Sequence, residues 1–96
     1  MATEEIPSKL AALAEKMASE YRDSEYEIAL ALAAAEGPLT TEELAEETGY
    51  TERTVKKRVG TLEEELGGEP LLQRDEEDRP VLHPALAEAV RAQASA

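Results

Sequence analysis

The chain has 96 residues, carries a formal net charge of −12 from 22 acidic against 10 basic side chains, and holds no cysteine. One small domain fits that length, and a disulfide framework or thiolate metal centre is excluded. The N-terminal MATEE is acidic where a secretory signal is basic, and the longest apolar run, residues 28–35, falls far short of the roughly 20 residues that span a bilayer. These features predict a soluble, cytoplasmic protein with no membrane partner.

The predicted elements are helical for most of the chain. Ile6, Leu10, Leu13, Met17 and Tyr21 recur every three or four positions, which predicts a helix from about Ile6 to Tyr21 with one apolar stripe. In RDSEYEIALALAAAEGP, Ser24 and Glu27 have the spacing of a capping box, and Ile28, Ala31, Leu32 and Ala35 fall on one face. Gly37 is expected in the left-handed conformation that ends this helix, with Pro38 blocking its continuation. Thr40 and Glu43 form a second capping box, Leu44 points inward, and Gly49 closes a short third helix. Thr51 is a good N-cap for the fourth. There Val55, Val59, Leu62 and Leu66 keep to a narrow stripe, and Gly67, Gly68 and Pro70 stop it. Leu71–Gln73 and Val81–His83 then read as two short strands around a charged turn, with Pro80 at a strand start or edge. Pro84 opens a last helix that turns Leu86, Ala89 and Val90 inward.

The third and fourth helices are joined only by TGY. Two short helices across a tight glycine turn make a helix-turn-helix, and Ala45, four residues before Gly49, is small enough for close helix approach. A hairpin directly after it completes a winged helix-turn-helix, mainly α with a small β-hairpin. The expected division is an N-terminal helix, 1–23, serving as a dimerisation element, and a winged helix-turn-helix domain, 24–93.

The segment TVKKRVGTLEEELGGEPLLQRDEEDRPVLHP resembles the DNA-binding domain of LysR-type transcriptional regulators. Val55, Val59, Leu62, Glu63, Leu66, Gly67, Pro70, Leu71, Arg74, Leu82 and Pro84 carry the resemblance, which covers residues 40–86. MarR-like repressors share parts of it. Gly60 and Thr61 stand where LysR-type proteins usually have two basic residues, Leu72 replaces an aromatic and His83 a threonine. Nothing in the chain resembles the effector-binding domain of that family, so ligand sensing is not implied.

Against its acidity, the chain gathers Arg53, Lys56, Lys57 and Arg58 in six positions. At 100° per residue, Arg53 and Lys57 lie opposite the Val55–Val59–Leu62–Leu66 stripe, while Lys56 and Arg58 flank it. In a helix-turn-helix the start of the second helix enters the major groove, where the helix dipole adds partial positive charge. Arg53 and Lys57 are therefore the expected readers of base edges. Thr41, Thr51, Thr54, Lys56 and Arg58, with Arg74 and Arg79 of the wing, are expected at phosphates. Gly60 lies on the same outer face, where a DNA backbone would approach closely. The bland reading is that the four cations pair with Glu42, Glu46, Glu52, Glu63 and Glu64, each exposed pair being worth about 0–1 kcal/mol.

The wing turn, Asp75–Asp78, is wholly acidic and would be repelled by phosphate unless cations bridge it. The Ile6–Leu10–Leu13–Met17–Tyr21 stripe is expected to join a partner chain rather than its own domain, giving a homodimer that reads two half-sites. His83 is expected to close the hairpin or cap the last helix. No catalytic spacing, metal site, cofactor or small-molecule ligand is implied. The expected function is sequence-specific binding of double-stranded DNA by a transcriptional regulator from a halophile-like acidic proteome. The alternative is a protein-binding winged helix that never touches DNA.

Overall fold

The computed structural model describes residues 8–67 and 71–95. Five helices and one hairpin follow in chain order: α1 (Ser8–Glu20), α2 (Asp23–Ala34), α3 (Thr41–Thr48), α4 (Glu52–Leu66), β1 (Leu72–Arg74), β2 (Pro80–Leu82) and α5 (Pro84–Ser95). Ile6, Gly68 and Pro70, used in the sequence reading, lie outside the described residues.

α2 is the centre of the domain, packing against α5, α4, α3 and β2. Its buried residues are Glu25, Ile28, Ala29, Leu32 and Ala33. The expected face was Ile28, Ala31, Leu32 and Ala35. With neighbours on several sides, a central helix is not buried along the single stripe that a surface helix shows. Its start is also displaced from the Ser24–Glu27 box. Arg22 precedes the first turn, and its backbone N–H donates to Glu25 Oε1 at 3.2 Å. Gly37 does not take the left-handed conformation, because the helix has already ended at Ala34, with Ala35 extended at its C-cap.

α3 and α4 follow the sequence closely. Thr40 Oγ1 accepts from Glu43 N–H at 3.0 Å, and Glu43 Oε1 accepts from Thr40 N–H at 2.9 Å. Gly49 ends α3 at φ 84°, and its N–H donates to the Ala45 carbonyl. Only a residue without Cβ takes that geometry cheaply. Thr51 Oγ1 accepts from Thr54 N–H at 3.1 Å and opens α4, while Gly67 closes it at φ 80°. Ala45 is half-buried against the core.

The strands pair antiparallel with Leu72 opposite Leu82, Gln73 opposite Val81 and Arg74 opposite Pro80. They sit one residue nearer the turn than expected. The outer residues still take part, since His83 N–H donates to the Leu71 carbonyl at 2.9 Å. Leu72 and Leu82 face each other in the core, so apolar burial anchors the base of the hairpin, and Pro80 is buried at its turn end. His83 then caps α5, its Nδ1 accepting from Ala85 N–H at 3.0 Å. Both structural roles expected of that histidine are filled.

α1 packs chiefly on α5. Ala14 and Met17 are fully buried, and Leu10, Leu13 and Tyr21 are half-buried against the same core. Met17, in the stripe expected to join a partner chain, is therefore part of the chain's own core, while Leu10, Leu13 and Tyr21 keep part of their surface outside it. α2 and α5 leave an apolar surface that α1 covers, and a dimer built through Met17 would have to open the core. Among the described residues, no helix is long and apolar enough to cross a membrane.

Candidate nucleic-acid interface

The start of α4 is held by its own cap and by the α3 turn. Thr51 fixes the first turn through Thr54 N–H, and its hydroxyl also donates to Thr54 Oγ1 at 3.1 Å. Val55, Val59, Leu62 and Leu66 anchor one side of the helix in the core. The opposite side therefore faces outward by the 3.6-residue period. Tyr50, in the turn itself, packs against the core. The Glu27 carboxylate of α2, first as an acceptor for the phenol and then, after desolvation, through its charge, raises the Tyr50 pKa. Tyr50 was read from sequence only as part of the turn. Its aromatic ring beside a left-handed glycine was the available signal.

Arg53, Lys56 and Lys57 are exposed. Among the described residues, none of them lies within ion-pairing distance of a carboxylate, and the four ion pairs that do form all belong to the hairpin arginines. The bland reading, in which the strip is neutralised by Glu42, Glu46, Glu52, Glu63 and Glu64, has no such contact behind it. Arg58 behaves differently. It is half-buried, and its Nε is sealed without a hydrogen-bond partner. The strip is thus three solvated cations and one lying along the domain.

Thr41, the first residue of α3, meets Lys56 and Val59 of α4 and Arg74, Asp78 and Pro80 of the hairpin around a cleft of about 250 Å³. Three of the expected phosphate ligands, Thr41, Lys56 and Arg74, therefore share one edge of the molecule. Thr51 is exposed and Thr54 half-buried at the helix start, and both hydroxyls already serve the cap. Gly60 is half-buried, and a Cβ built there would meet nothing within 4 Å. Nothing inside the described chain requires glycine at that position.

The two hairpin arginines are committed inward. Arg74 grips Glu63 of α4 with two bonds, Nε to Oε2 at 3.1 Å and Nη2 to Oε1 at 3.2 Å. Its Nη1 also donates to the Asp78 carbonyl at 3.2 Å. The Glu63 hydrogen bond is the main cause that raises the Arg74 pKa, with burial opposing it. Arg79 Nε donates to Asp75 Oδ2 at 2.8 Å, and Nη2 lies 3.6 Å from Glu77 Oε1. Asp75 Oδ1 accepts two backbone N–H groups, from Glu77 at 2.9 Å and Arg79 at 2.8 Å. Donation from the Arg79 backbone is the leading reason its carboxyl sits below its ordinary value, burial acting against it. Asp78 closes the turn at φ 65°, a conformation that Asp tolerates better than most residues. The acid-rich turn is therefore partly compensated by its own arginines, which are the same two expected at phosphates.

Residues 29–65 match a family model described as winged helix-turn-helix DNA-binding. The match runs from α2 through most of α4 and stops before the hairpin. No curated protein and no solved structure matches the chain significantly. With the antiparallel hairpin directly after α4, the fold is a winged helix-turn-helix.

Proposed function

We propose that this domain binds double-stranded DNA by laying the start of α4 in the major groove, and that it acts as a transcriptional regulator. The observation that carries the reading is that Arg53, Lys56 and Lys57, on the outward side of α4, pair with no carboxylate among the described residues, although the chain is strongly acidic. The family match over α2–α4 supports the same reading. Arg53 and Lys57 read base edges, since a bidentate Arg–guanine contact is the commonest specific pairing. Lys56 and Thr41 hold the phosphate backbone along the cleft edge. Thr51 and Thr54 present the helix start, where the dipole favours an anion. Arg58 supports the strip from the side and reaches phosphate only with its outer nitrogens. Arg74 and Arg79 act first on the hairpin. The regulator works in a salt-rich interior, where screening shortens the repulsion between its acidic flanks and the duplex.

The test is binding of the full chain to duplex DNA across a KCl series, repeated with Arg53→Ala/Lys57→Ala. The wild type should bind with a log–log salt slope of about −0.9 per phosphate neutralised. The double variant should lose about 10-fold or more in affinity, since one good base contact is worth about 1–3 kcal/mol. Equal binding by both proteins would remove this interface.

A second reading has one observation in its favour. Glu76 and Asp78 are exposed at the wing turn, where a nucleic-acid-binding wing would be basic or small. A winged helix that docks on a basic protein surface through that turn would show no salt-dependent binding to DNA and no effect of the α4 substitutions.

A further inference from the structure

The junction between α2 and α4 holds a pair of carboxyls that the proposed DNA interface does not use. Glu25 is fully buried, the one charged side chain so placed among the described residues. Its Oε1 serves the first turn of α2 through Arg22 N–H. Its Oε2 is sealed from solvent without a hydrogen-bond partner, a costly state for a polar atom. A second carboxyl, Glu65 in the last turn of α4, interacts with Glu25 across this junction. Two ionised carboxylates can only accept. The contact becomes a hydrogen bond when one of them carries a proton, and like charges at that range favour one proton between them.

The surroundings set the sign. Lys16 and Glu20 of α1, and Tyr21 just after it, join Glu65 around a cleft of about 240 Å³, and Arg22 comes from the start of α2. α5 also packs on α1 and α2, but it buries Leu86, Ala87, Ala89 and Val90. Its Arg91 sits at the far end of α2, on the Ala33 carbonyl. The Glu65 carboxyl is pushed up from its ordinary value by lost hydration first, then by the Glu25 charge and hydrogen bond. Arg22 and Lys16 pull it down less strongly. The Tyr21 phenol is also pushed up, by burial first and then by Glu65, Glu25 and Glu20. Glu65 as a residue remains exposed, so a proton on the pair exchanges freely with solvent.

We propose that Glu65 takes up a proton and donates it in a hydrogen bond to Glu25 across the α2–α4 junction, and that this uptake tightens the seating of α4 on the domain. The folded pair holds that proton more firmly than the unfolded chain does. Its contribution is complete below the unfolded carboxylate value and is lost as pH rises through the folded one.

Thermal melts of the full chain and of Glu65→Gln, from pH 4 to pH 8, test this without any DNA, so the result stands apart from the binding assay. The Gln amide donates to Glu25 Oε2 without charge and mimics the protonated pair. At pH 8 the variant should melt several degrees higher, roughly 4–8 °C, and the gap should close by pH 4. Glu20→Gln, which removes a neighbouring charge but not the pair, should show no such pH-dependent gap. A carboxyl-carbon NMR titration of the wild type should place one midpoint of the pair clearly above the ordinary Glu value of about 4.3. A pH-independent gap, a lower melting point for Glu65→Gln at pH 8, equal gains from Glu20→Gln, or two ordinary midpoints would each overturn the proposal.

Discussion

Asp75 organises the hairpin turn with one carboxylate, taking two backbone N–H groups on Oδ1 and the Arg79 guanidinium on Oδ2. These contacts favour the ionised form and lower its folded pKa. The resulting stability is present above the unfolded Asp value and is lost as pH falls through the folded one. Asp75→Ala should lower the melting temperature at pH 7, and the gap to wild type should narrow as pH falls through the folded value of the wild-type carboxyl. Glu63 is a second informative position. It occupies the Arg74 fork, so Glu63→Ala releases a cation and removes an anion near the Thr41–Lys56 cleft. Duplex DNA affinity should rise a few-fold, measured at fixed KCl. Stability should fall by about 0–1 kcal/mol, the usual value of a surface pair.

Among the elements, α4 bears the most constraints. Its apolar stripe, N-cap and C-terminal glycine were all legible, because each is a local rule of sequence spacing or backbone conformation. Gly60 sits inside this helix with open space around its missing Cβ. Gly60→Ala should therefore stabilise the fold by about 1 kcal/mol through helix propensity, seen as a higher denaturation midpoint. If a DNA backbone approaches that face, the same variant should bind duplex more weakly, so stability and binding should move in opposite directions. Thr51→Ala removes the cap and should cost about 1 kcal/mol. It should also weaken binding, by fraying the turn that presents Arg53 and Thr54.

Taken as a whole, the molecule spends its first helix on its own core. Met17 is fully buried beside Ala14, so Met17→Ala should destabilise the folded chain by about 2–5 kcal/mol. The melting temperature of the wild type should not change with protein concentration on account of this stripe. A concentration-dependent melt abolished by Leu10→Ala and Leu13→Ala would make the stripe a dimer surface. Acid and base meet along one edge, where Lys56 and Asp78 line the same cleft, and salt decides how far each is felt.

The sequence by itself determined the helix order, the α3 and α4 caps, the glycines that end both helices, and the outward side of α4. Those features are set by residues within a few positions of one another. Only the tertiary structure decided which side of α2 is buried, where Tyr50 and Arg58 lie, and that Arg74 and Arg79 turn to Glu63 and Asp75. It also decided that Met17 belongs to the chain's own core, and that Glu25 meets Glu65 from 40 positions away. Each of these depends on which surfaces meet after packing. Helical and strand periodicity can show that a residue faces inward, but not what it will find there.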